Sequence, residues 1–392
     1  MTAAPQADLD RRGERLDSLT GLRWFAALAV FLAHVSTLLP LPSSGLDSAL
    51  SLGSSGVTFF FVLSGFVLTW TWTARDRAGP FYGRRFARIW PLLAIGVLVP
   101  LALQLPQVPE PMRETMVWAS ISAILLYQAW VPDHILGGAS PVTWSLAVEA
   151  FFYALFPFLA KPVLRRSLVW LAGAAVVLIL IGWGLRVWLW EAYPPTPRPN
   201  MVGMEGLVLG VYSPIARLWE FLLGVVAAAA MRKGWRPRLS VSAAVAVLTA
   251  GLAVLWLLRD ETFRVAVPFD VLPQVTAPLY ALVVIAVASR DLSGHRSWLG
   301  SRPLVKLGEW SYAFYLLHFT VLFEIASRVY DKNTVLEFYR RPVEASWSNA
   351  GWALFALVAT TGLCALLYQL YERPVELWLR ARIGRQPKAG VR

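Results

Sequence analysis

Apolar blocks of about 17–24 residues recur along the whole of this 392-residue chain, and each is long enough to cross a bilayer as a helix. A soluble domain does not need a chain that is 57% hydrophobic, with 19 tryptophans and a mean hydropathy of +0.54. Because lipid offers no partner to backbone N–H and C=O groups, apolar spans of this kind must be helical. The sequence therefore predicts an all-α, polytopic membrane helix bundle.

The formal net charge of +12 is carried by basic residues that cluster in the short joints between the apolar blocks. This distribution is typical of the cytoplasmic joints of membrane proteins and argues against a nucleic-acid partner. Arg11, Arg12 and Arg15 place the start of the chain in the cytoplasm. We predict a multi-pass protein of the plasma (inner) membrane with both termini cytoplasmic and an outer, proline-rich loop at 193–212.

The alternation of basic joints predicts about ten transmembrane helices and one further helix that is re-entrant or interfacial. The further helix is 115–130, because counting it as a span would put the basic cluster after residue 160 outside the cell; an additional span there is the alternative. Cytoplasmic tails at 1–17 and 381–392 flank a single transmembrane domain, 18–380. The predicted spans are 19–39, 56–73, 89–105, 144–160, 168–190, 213–231, 240–258, 275–289, 310–328 and 351–371.

Two residues of the first apolar block, Arg23 and His34, are out of place in lipid. Eleven residues at about 100° each make three turns and about 20°, so both side chains lie on one stripe of a helix, roughly 16 Å apart along its axis. An arginine inside a span costs on the order of 3 kcal/mol and usually faces a bundle interior or a wet cavity. Both residues are therefore predicted to line an internal passage, the alternative being that each snorkels to its own membrane surface.

A carboxylate inside a later block also needs a partner. Glu149 lies in the predicted span 144–160, one turn before Tyr153, and its expected depth in the membrane matches that of His34. A carboxylate-paired imidazole is the arrangement of a general base. We therefore predict that Glu149 pairs with His34, with an ion pair between Glu149 and an arginine as the alternative.

Arg85 and Arg88 share a helix face where the third span meets the cytoplasm. Two guanidinium groups at the end of a helix could bind the phosphate groups of a ligand. The two arginines by themselves, however, favour the simpler interpretation of a cytoplasmic cluster of positive charge. Arg217 and Glu220 are three residues apart and are predicted to neutralise each other.

The ninth span carries Ser311, Tyr315 and His318 on one stripe, at offsets of four and seven residues. A histidine flanked by aromatic residues is more often structural than catalytic, and that interpretation stays open for His318.

Several catalytic signatures are absent from the sequence. It contains no Walker A loop, no G-x-G-x-x-G, no cluster of metal ligands, no G-x-S-x-G elbow and no H-x-x-x-D centre of the soluble coenzyme A acyltransferases. The lone cysteine, Cys364, excludes an intrachain disulfide and indicates no thiolate metal site. Chemistry here is expected to use histidine, carboxylate and arginine side chains, with no metal and no ATP site.

Six segments resemble, in order, motifs of the acyltransferase-3 family of integral-membrane O-acyltransferases. They are L-D-S-L-T-G-L-R-W-F-A-A-L-A-V-F-L-A-H, with the Arg-x10-His spacing of that family, then F-F-F-V-L-S-G-F, R-R-F-A-R-I-W-P, W-S-L-A-V-E-A-F-F-Y-A-L-F-P, R-L-W-E-F-L-L-G and S-Y-A-F-Y-L-L-H. The resemblance implies transfer of an acyl group, often acetyl, from acyl-coenzyme A to a hydroxyl-bearing acceptor. Cell-envelope sugars and macrolide antibiotics are acceptors within the family.

Carried onto this chain, the resemblance implies that His34 is the catalytic base and Glu149 a supporting acid, and that Arg23, Arg85 and Arg88 hold the donor. We further expect Ser64 and nearby backbone amides to hold the oxyanion. The remaining candidates for substrate binding are Trp144, Tyr153, Tyr315 and His318.

Family members that act on surface polysaccharides often carry an esterase-like domain after the last span. The sequence ends at Arg392 without one, which widens the expected acceptor to small molecules and lipid-linked sugars. A proton-coupled transporter or flippase is the rival interpretation, with Arg23, His34 and Glu149 forming its pathway. The inverted repeats common in transporters are not found, and a receptor without chemistry is a third alternative.

Overall fold

The computed structural model describes residues 16–135, 137–193, 208–258, 267–295 and 297–383. Over these ranges the chain is helical, with no strand. The predicted tails 1–17 and 381–392 and the predicted loop 193–212 lie mostly outside the described residues. The longer helices are α1 Asp17–Leu38, α2 Ser44–Ser51, α3 Gly56–Thr71, α4 Ala78–Gln104, α5 Glu110–Ile124, α6 Trp144–Leu164, α7 Leu168–Ala192, α8 Pro214–Arg232, α9 Val241–Leu257, α10 Val267–Leu292, α11 Arg302–Tyr330, α12 Val335–Arg340, α13 Ser348–Leu367 and α14 Arg373–Ile383.

Serine side chains cap the N-termini of several of these helices. Ser43, Ser167 and Ser240 precede α2, α7 and α9, and the side chain of each accepts a hydrogen bond from the backbone N–H three residues later. Such a cap satisfies one of the N–H groups that a helix leaves unpaired at its first turn. The polar joints therefore determine where α7 and α9 begin.

Every predicted span coincides with a helix. Eight helical segments among the described residues are long and apolar enough to cross a membrane. Two predicted spans fall outside that set: α9 is a shorter apolar helix of 17 residues, and α11 has a polar stripe that includes Ser311 and His318. The prediction of an all-α, polytopic membrane bundle is confirmed.

The segment predicted to be re-entrant or interfacial, 115–130, falls on α5 and a following 3₁₀ turn, Gln128–Trp130. The 15 residues of α5 rise about 22 Å, which is less than the ~30 Å of a bilayer's hydrocarbon core. The length of this helix agrees with the prediction that it does not span.

Two helix pairs approach so closely that their backbones touch. Gly308 places α11 on α1, where an added Cβ would overlap the carbonyl oxygen of Thr20. Gly224 places α8 on α3, where a Cβ would overlap the carbonyl oxygen of Val62. Small residues permit such contacts between membrane helices. The first pair positions the histidines described next.

Candidate active site

The imidazole rings of His34 on α1 and His318 on α11 are in direct contact. His318 Nε2 lies 3.1 Å from His34 Nδ1, and the ring centroids are 5.1 Å apart. Rings of Phe31, Phe314 and Phe319 surround the pair. His318 is fully buried, whereas His34 keeps part of its surface accessible. Because this contact holds the ring of His34 inside the bundle, the snorkelling alternative is wrong for this residue.

Each imidazole also bonds to the backbone carbonyl one turn earlier in its own helix. His34 Nδ1 lies 3.0 Å from the oxygen of Val30, and His318 Nδ1 lies 3.1 Å from the oxygen of Phe314. A carbonyl oxygen only accepts hydrogen bonds, so we assign a proton to both Nδ1 atoms. His34 Nδ1–H is then shared between Val30 and the unprotonated Nε2 of His318. This assignment leaves His34 Nε2 with a free lone pair.

Glu149 does not pair with His34, and that prediction is wrong. The carboxylate of Glu149 accepts hydrogen bonds from Ser64 Oγ at 2.9 Å and from Tyr153 Oη at 2.5 Å. Its helix α6 packs against α3, α4 and α8, whereas α1 packs against α11. The structure places Glu149 with Arg23, toward the other end of the α1 stripe from His34, so the equal depth expected from the sequence does not hold.

The expected role of Ser64 in holding an oxyanion is not supported either. Its hydroxyl hydrogen is donated to Glu149 and is therefore not available to a second acceptor. A serine carries only one hydroxyl donor, so Ser64 orders the carboxylate instead.

The three arginines predicted to hold a donor lie in one region with Glu149 and Tyr153; these five residues are called the inner cluster below. The guanidinium of Arg85 lies 5.8 Å from the centre of the Tyr153 ring. Arg23 interacts electrostatically with both Arg88 and Glu149. The sequence analysis expected Arg85 and Arg88 at a helix mouth and named an arginine as the alternative partner of Glu149, and the structure puts Glu149 near Arg23.

Acidic residues from the end of the chain also reach the inner cluster. Glu376 on α14 lies 3.8 Å from Arg88 Nη1, and it pairs with Arg380 as well. Glu372 is buried and interacts electrostatically with Arg88 and Arg23. The sequence reasoning treated Y-E-R-P-V-E as a structural helix end and missed both carboxylates. The sequence did carry a signal for them: two negative charges, Glu372 and Glu376, in a chain that needs partners for several arginines inside its apolar blocks.

Arg23 and His34 stand at the two ends of one stripe of α1, and the stripe between them is closed by buried Ala27 and Val30. Arg23 and His34 themselves keep accessible surface. The separation of about 16 Å along the axis follows from the helical rise. The accessible surface of this stripe is therefore found at its two polar ends, Arg23 and His34.

Tyr315, one turn before His318 on α11, and Trp144, beside Ser145 on α6, lie among polar groups. Tyr315 Oη lies 2.7 Å from Ser145 Oγ, and its ring centroid is 5.8 Å from that of His318. Trp144 makes an edge contact with Tyr212 at 4.8 Å. Tyr315 therefore contacts the histidine pair directly, whereas Trp144 is adjacent in sequence to Ser145, the partner of Tyr315.

The predicted pair Arg217–Glu220 is confirmed, with Nε and Oε1 3.0 Å apart, and Arg217 also donates to Thr58 Oγ1 at 3.0 Å. Among the residues that the structure describes, no group of three or more His, Cys, Asp or Glu side chains could hold a metal ion.

Comparison with known proteins gives a family match over nearly the whole chain. The model of the acyltransferase-3 family, described as an acyltransferase domain, matches residues 16–369. The acyltransferase MdmB of Streptomyces mycarofaciens is 34% identical over 373 residues, covering 92% of this chain and 91% of that protein. No solved structure matches.

Two further relatives are more distant. The peptidoglycan O-acetyltransferase OatA of Listeria monocytogenes is 25% identical over 91% of this chain, which corresponds to 55% of OatA. The exopolysaccharide production protein ExoZ of Rhizobium meliloti is 28% identical over 87% of this chain and 94% of ExoZ.

Proposed function

The chain belongs to the acyltransferase-3 family, and we propose that it moves an acyl group from acyl-coenzyme A to a hydroxyl of a sugar, glycolipid or macrolide-type acceptor. The family makes it a membrane acyltransferase; the donor and the acceptor are the proposal. One observation carries it: the partly accessible, bonded His34 lies on the same helical stripe as Arg23 of the inner cluster.

His34 is the general base of the proposed reaction. Its Nε2 lone pair removes the proton from the acceptor hydroxyl, and the hydroxyl oxygen attacks the thioester carbonyl carbon. The carbon–sulfur bond then breaks, and the departing thiolate takes back the proton from His34 Nε2. Every proton and electron pair is accounted for by the two substrates and one imidazole.

The inner cluster binds the phosphate groups of the donor. Arg23, Arg85 and Arg88 supply guanidinium groups, which hold phosphate oxygens in bidentate pairs. The acyl-bearing arm then extends toward His34 at the other end of the α1 stripe. This direction fits the prediction that the inner end is cytoplasmic, where a coenzyme A thioester is made, and that the protein lies in the plasma membrane.

The acceptor binds beside Tyr315 and Trp144, next to the histidine pair. Aromatic rings and hydroxyl groups suit a polyhydroxylated molecule. Two relatives, a peptidoglycan O-acetyltransferase and an exopolysaccharide production protein, support a sugar hydroxyl as the acceptor group.

Reconstitution tests the proposal directly. The purified protein in vesicles is supplied with radiolabelled acetyl-coenzyme A and a panel of glycan and macrolide acceptors. We expect label in the acceptor and free coenzyme A in equal amounts. Solute flux that depends on a proton gradient, with no acylated product from any acceptor, would instead support a transporter.

Replacing Arg88 by glutamine should raise the KM for acetyl-coenzyme A by about 10- to 100-fold, because a charged hydrogen bond contributes about 1.5–3 kcal/mol. The KM for the acceptor should stay within about twofold. Arg328→Gln is the matched control, since this exposed arginine pairs with Glu324 far from the inner cluster. Equal KM values for acetyl-coenzyme A in the two variants would show that Arg88 does not bind the donor.

Replacing Glu149 by glutamine should lower kcat by less than about tenfold, since its carboxylate is not bonded to His34. A glutamine oxygen still accepts hydrogen bonds from Ser64 and Tyr153. A carboxylate that oriented the base would instead cost about 10⁴-fold on loss of its charge. Steady-state kinetics decide between the two, and a loss of the larger size would restore Glu149 as the partner of the base.

A further inference from the structure

We propose that His318 is the positioning residue of the base: its Nε2 accepts the hydrogen bond of His34 Nδ1–H and so holds His34 in the tautomer with a reactive Nε2. This inference rests on the proposed function, in which His34 Nε2 takes the proton of the acceptor. In this role His318 acts through His34 and does not need to contact a substrate.

The ring of His318 is itself held in place. Its Nδ1–H donates to the carbonyl of Phe314 at 3.1 Å, and its ring stacks on that of Phe314 with centroids 5.9 Å apart and planes at 10°. The side chain has no accessible surface. A buried ring with one fixed donor can present its second nitrogen in only one direction, which here is toward His34.

The opposite tautomers are disfavoured by two carbonyl groups. If His34 were protonated on Nε2, its Nδ1 lone pair would face the oxygen of Val30 at 3.0 Å. If His318 were protonated on Nε2, its Nδ1 lone pair would face the oxygen of Phe314. Either arrangement sets two acceptors against each other and loses a buried hydrogen bond. The two carbonyl groups therefore favour the same tautomers as the bond between the rings, and His318 supplies the second of the two acceptors of His34 Nδ1–H.

The consequence for catalysis appears when His34 becomes charged. An imidazolium N–H forms a stronger hydrogen bond than a neutral one, so the bond to His318 Nε2 tightens as the proton arrives at His34 Nε2. In serine hydrolases a buried carboxylate supplies this support. Here a neutral acceptor supplies it, and His318 neither gains nor loses a proton.

Two substitutions at His318 separate this role from simple packing. His318→Gln keeps an acceptor oxygen near the position of Nε2, whereas His318→Phe keeps a ring but has no acceptor. We expect kcat to fall by about 100-fold in the phenylalanine variant and by less than about tenfold in the glutamine variant, with both KM values within about twofold of wild type. His134→Gln, which changes a histidine bonded to Ser122, is the control and should keep full activity.

Nuclear magnetic resonance gives a readout that packing does not move. The chain has four histidines, so ¹⁵N-histidine labelling of a His134→Gln, His295→Gln background leaves signals from His34 and His318 only. Both should show the Nδ1–H tautomer. In the same background with His318→Phe, His34 Nδ1–H keeps the Val30 carbonyl but loses its second acceptor, so the fraction of the Nε2–H tautomer of His34 should rise above that of wild type.

The outcomes distinguish this inference from the proposed function. Equal losses in the glutamine and phenylalanine variants, or an Nε2–H signal from wild-type His34, would overturn the positioning role while acyl transfer stands. Absence of any acyl transfer would overturn the proposed function, and the tautomer measurement would still decide the positioning role. A phenylalanine variant that fails to fold leaves the decision to the wild-type spectrum and the glutamine variant.

Discussion

Replacing His34 by alanine should lower the rate of acyl transfer by about 10³-fold or more, because the reaction loses its general base. The acceptor hydroxyl is a poor nucleophile until its proton is removed, and the nearest imidazole, His318, is buried with its free nitrogen turned toward His34. The residual rate reflects binding of the two substrates side by side. Both KM values should change little, since other residues, the arginines of the inner cluster and the aromatic side chains Tyr315 and Trp144, hold the substrates in the proposed reaction.

The measurement is single-turnover transfer from radiolabelled acetyl-coenzyme A in vesicles, with the amount of inserted protein determined for each variant. Ser36→Ala is the matched control on the same helix, because its hydroxyl bonds only to the carbonyl of Ala33 one turn away. Unaltered transfer by a correctly inserted His34→Ala protein would end the mechanism proposed here.

The second large effect is on stability. Gly224→Ala should lower the free energy of unfolding by about 3 kcal/mol or more, because the new methyl group overlaps the backbone carbonyl of Val62 on α3. A carbonyl oxygen cannot rotate away as a flexible side chain can, so the α3–α8 pair must separate. Helix propensity alone would predict the opposite sign, since alanine is favoured over glycine by about 1 kcal/mol inside a helix.

Thermal unfolding in detergent, followed by the fraction of monodisperse protein, measures this difference. Gly362→Ala is the control, since no atom lies within 4 Å of its added Cβ. We expect the control to match or exceed wild type in stability. A Gly224→Ala protein as stable as the control would show that α3 and α8 are not in backbone contact.

Hydropathy predicted the helices because the bilayer sets their length. Every predicted block became a helix, including the block of α11 with its polar stripe. Helical periodicity also predicted that Arg23 and His34 share a stripe, since that inference needs only the pitch of one helix.

Hydropathy and helical periodicity do not predict which helices lie next to one another in the bundle. Glu149 was a plausible partner for His34 only at an equal depth in the membrane, which the structure does not show. The order of helices around the bundle depends on contacts such as Gly308 against Thr20. A histidine seven residues beyond Ser311 gave no sign of which helix it faces. The carboxylates of α14 were missed for the same reason: hydropathy contains no information about which helix end covers which arginine.

The bonded histidines are separated by 284 residues of sequence. During synthesis α1 enters the membrane early, whereas α11 follows only after most of the chain has been made. On the proposed mechanism, the His34 of a partly made chain lacks its orienting partner, and its rate of transfer should stay low until α11 joins the bundle. Full activity is then a late event in biogenesis.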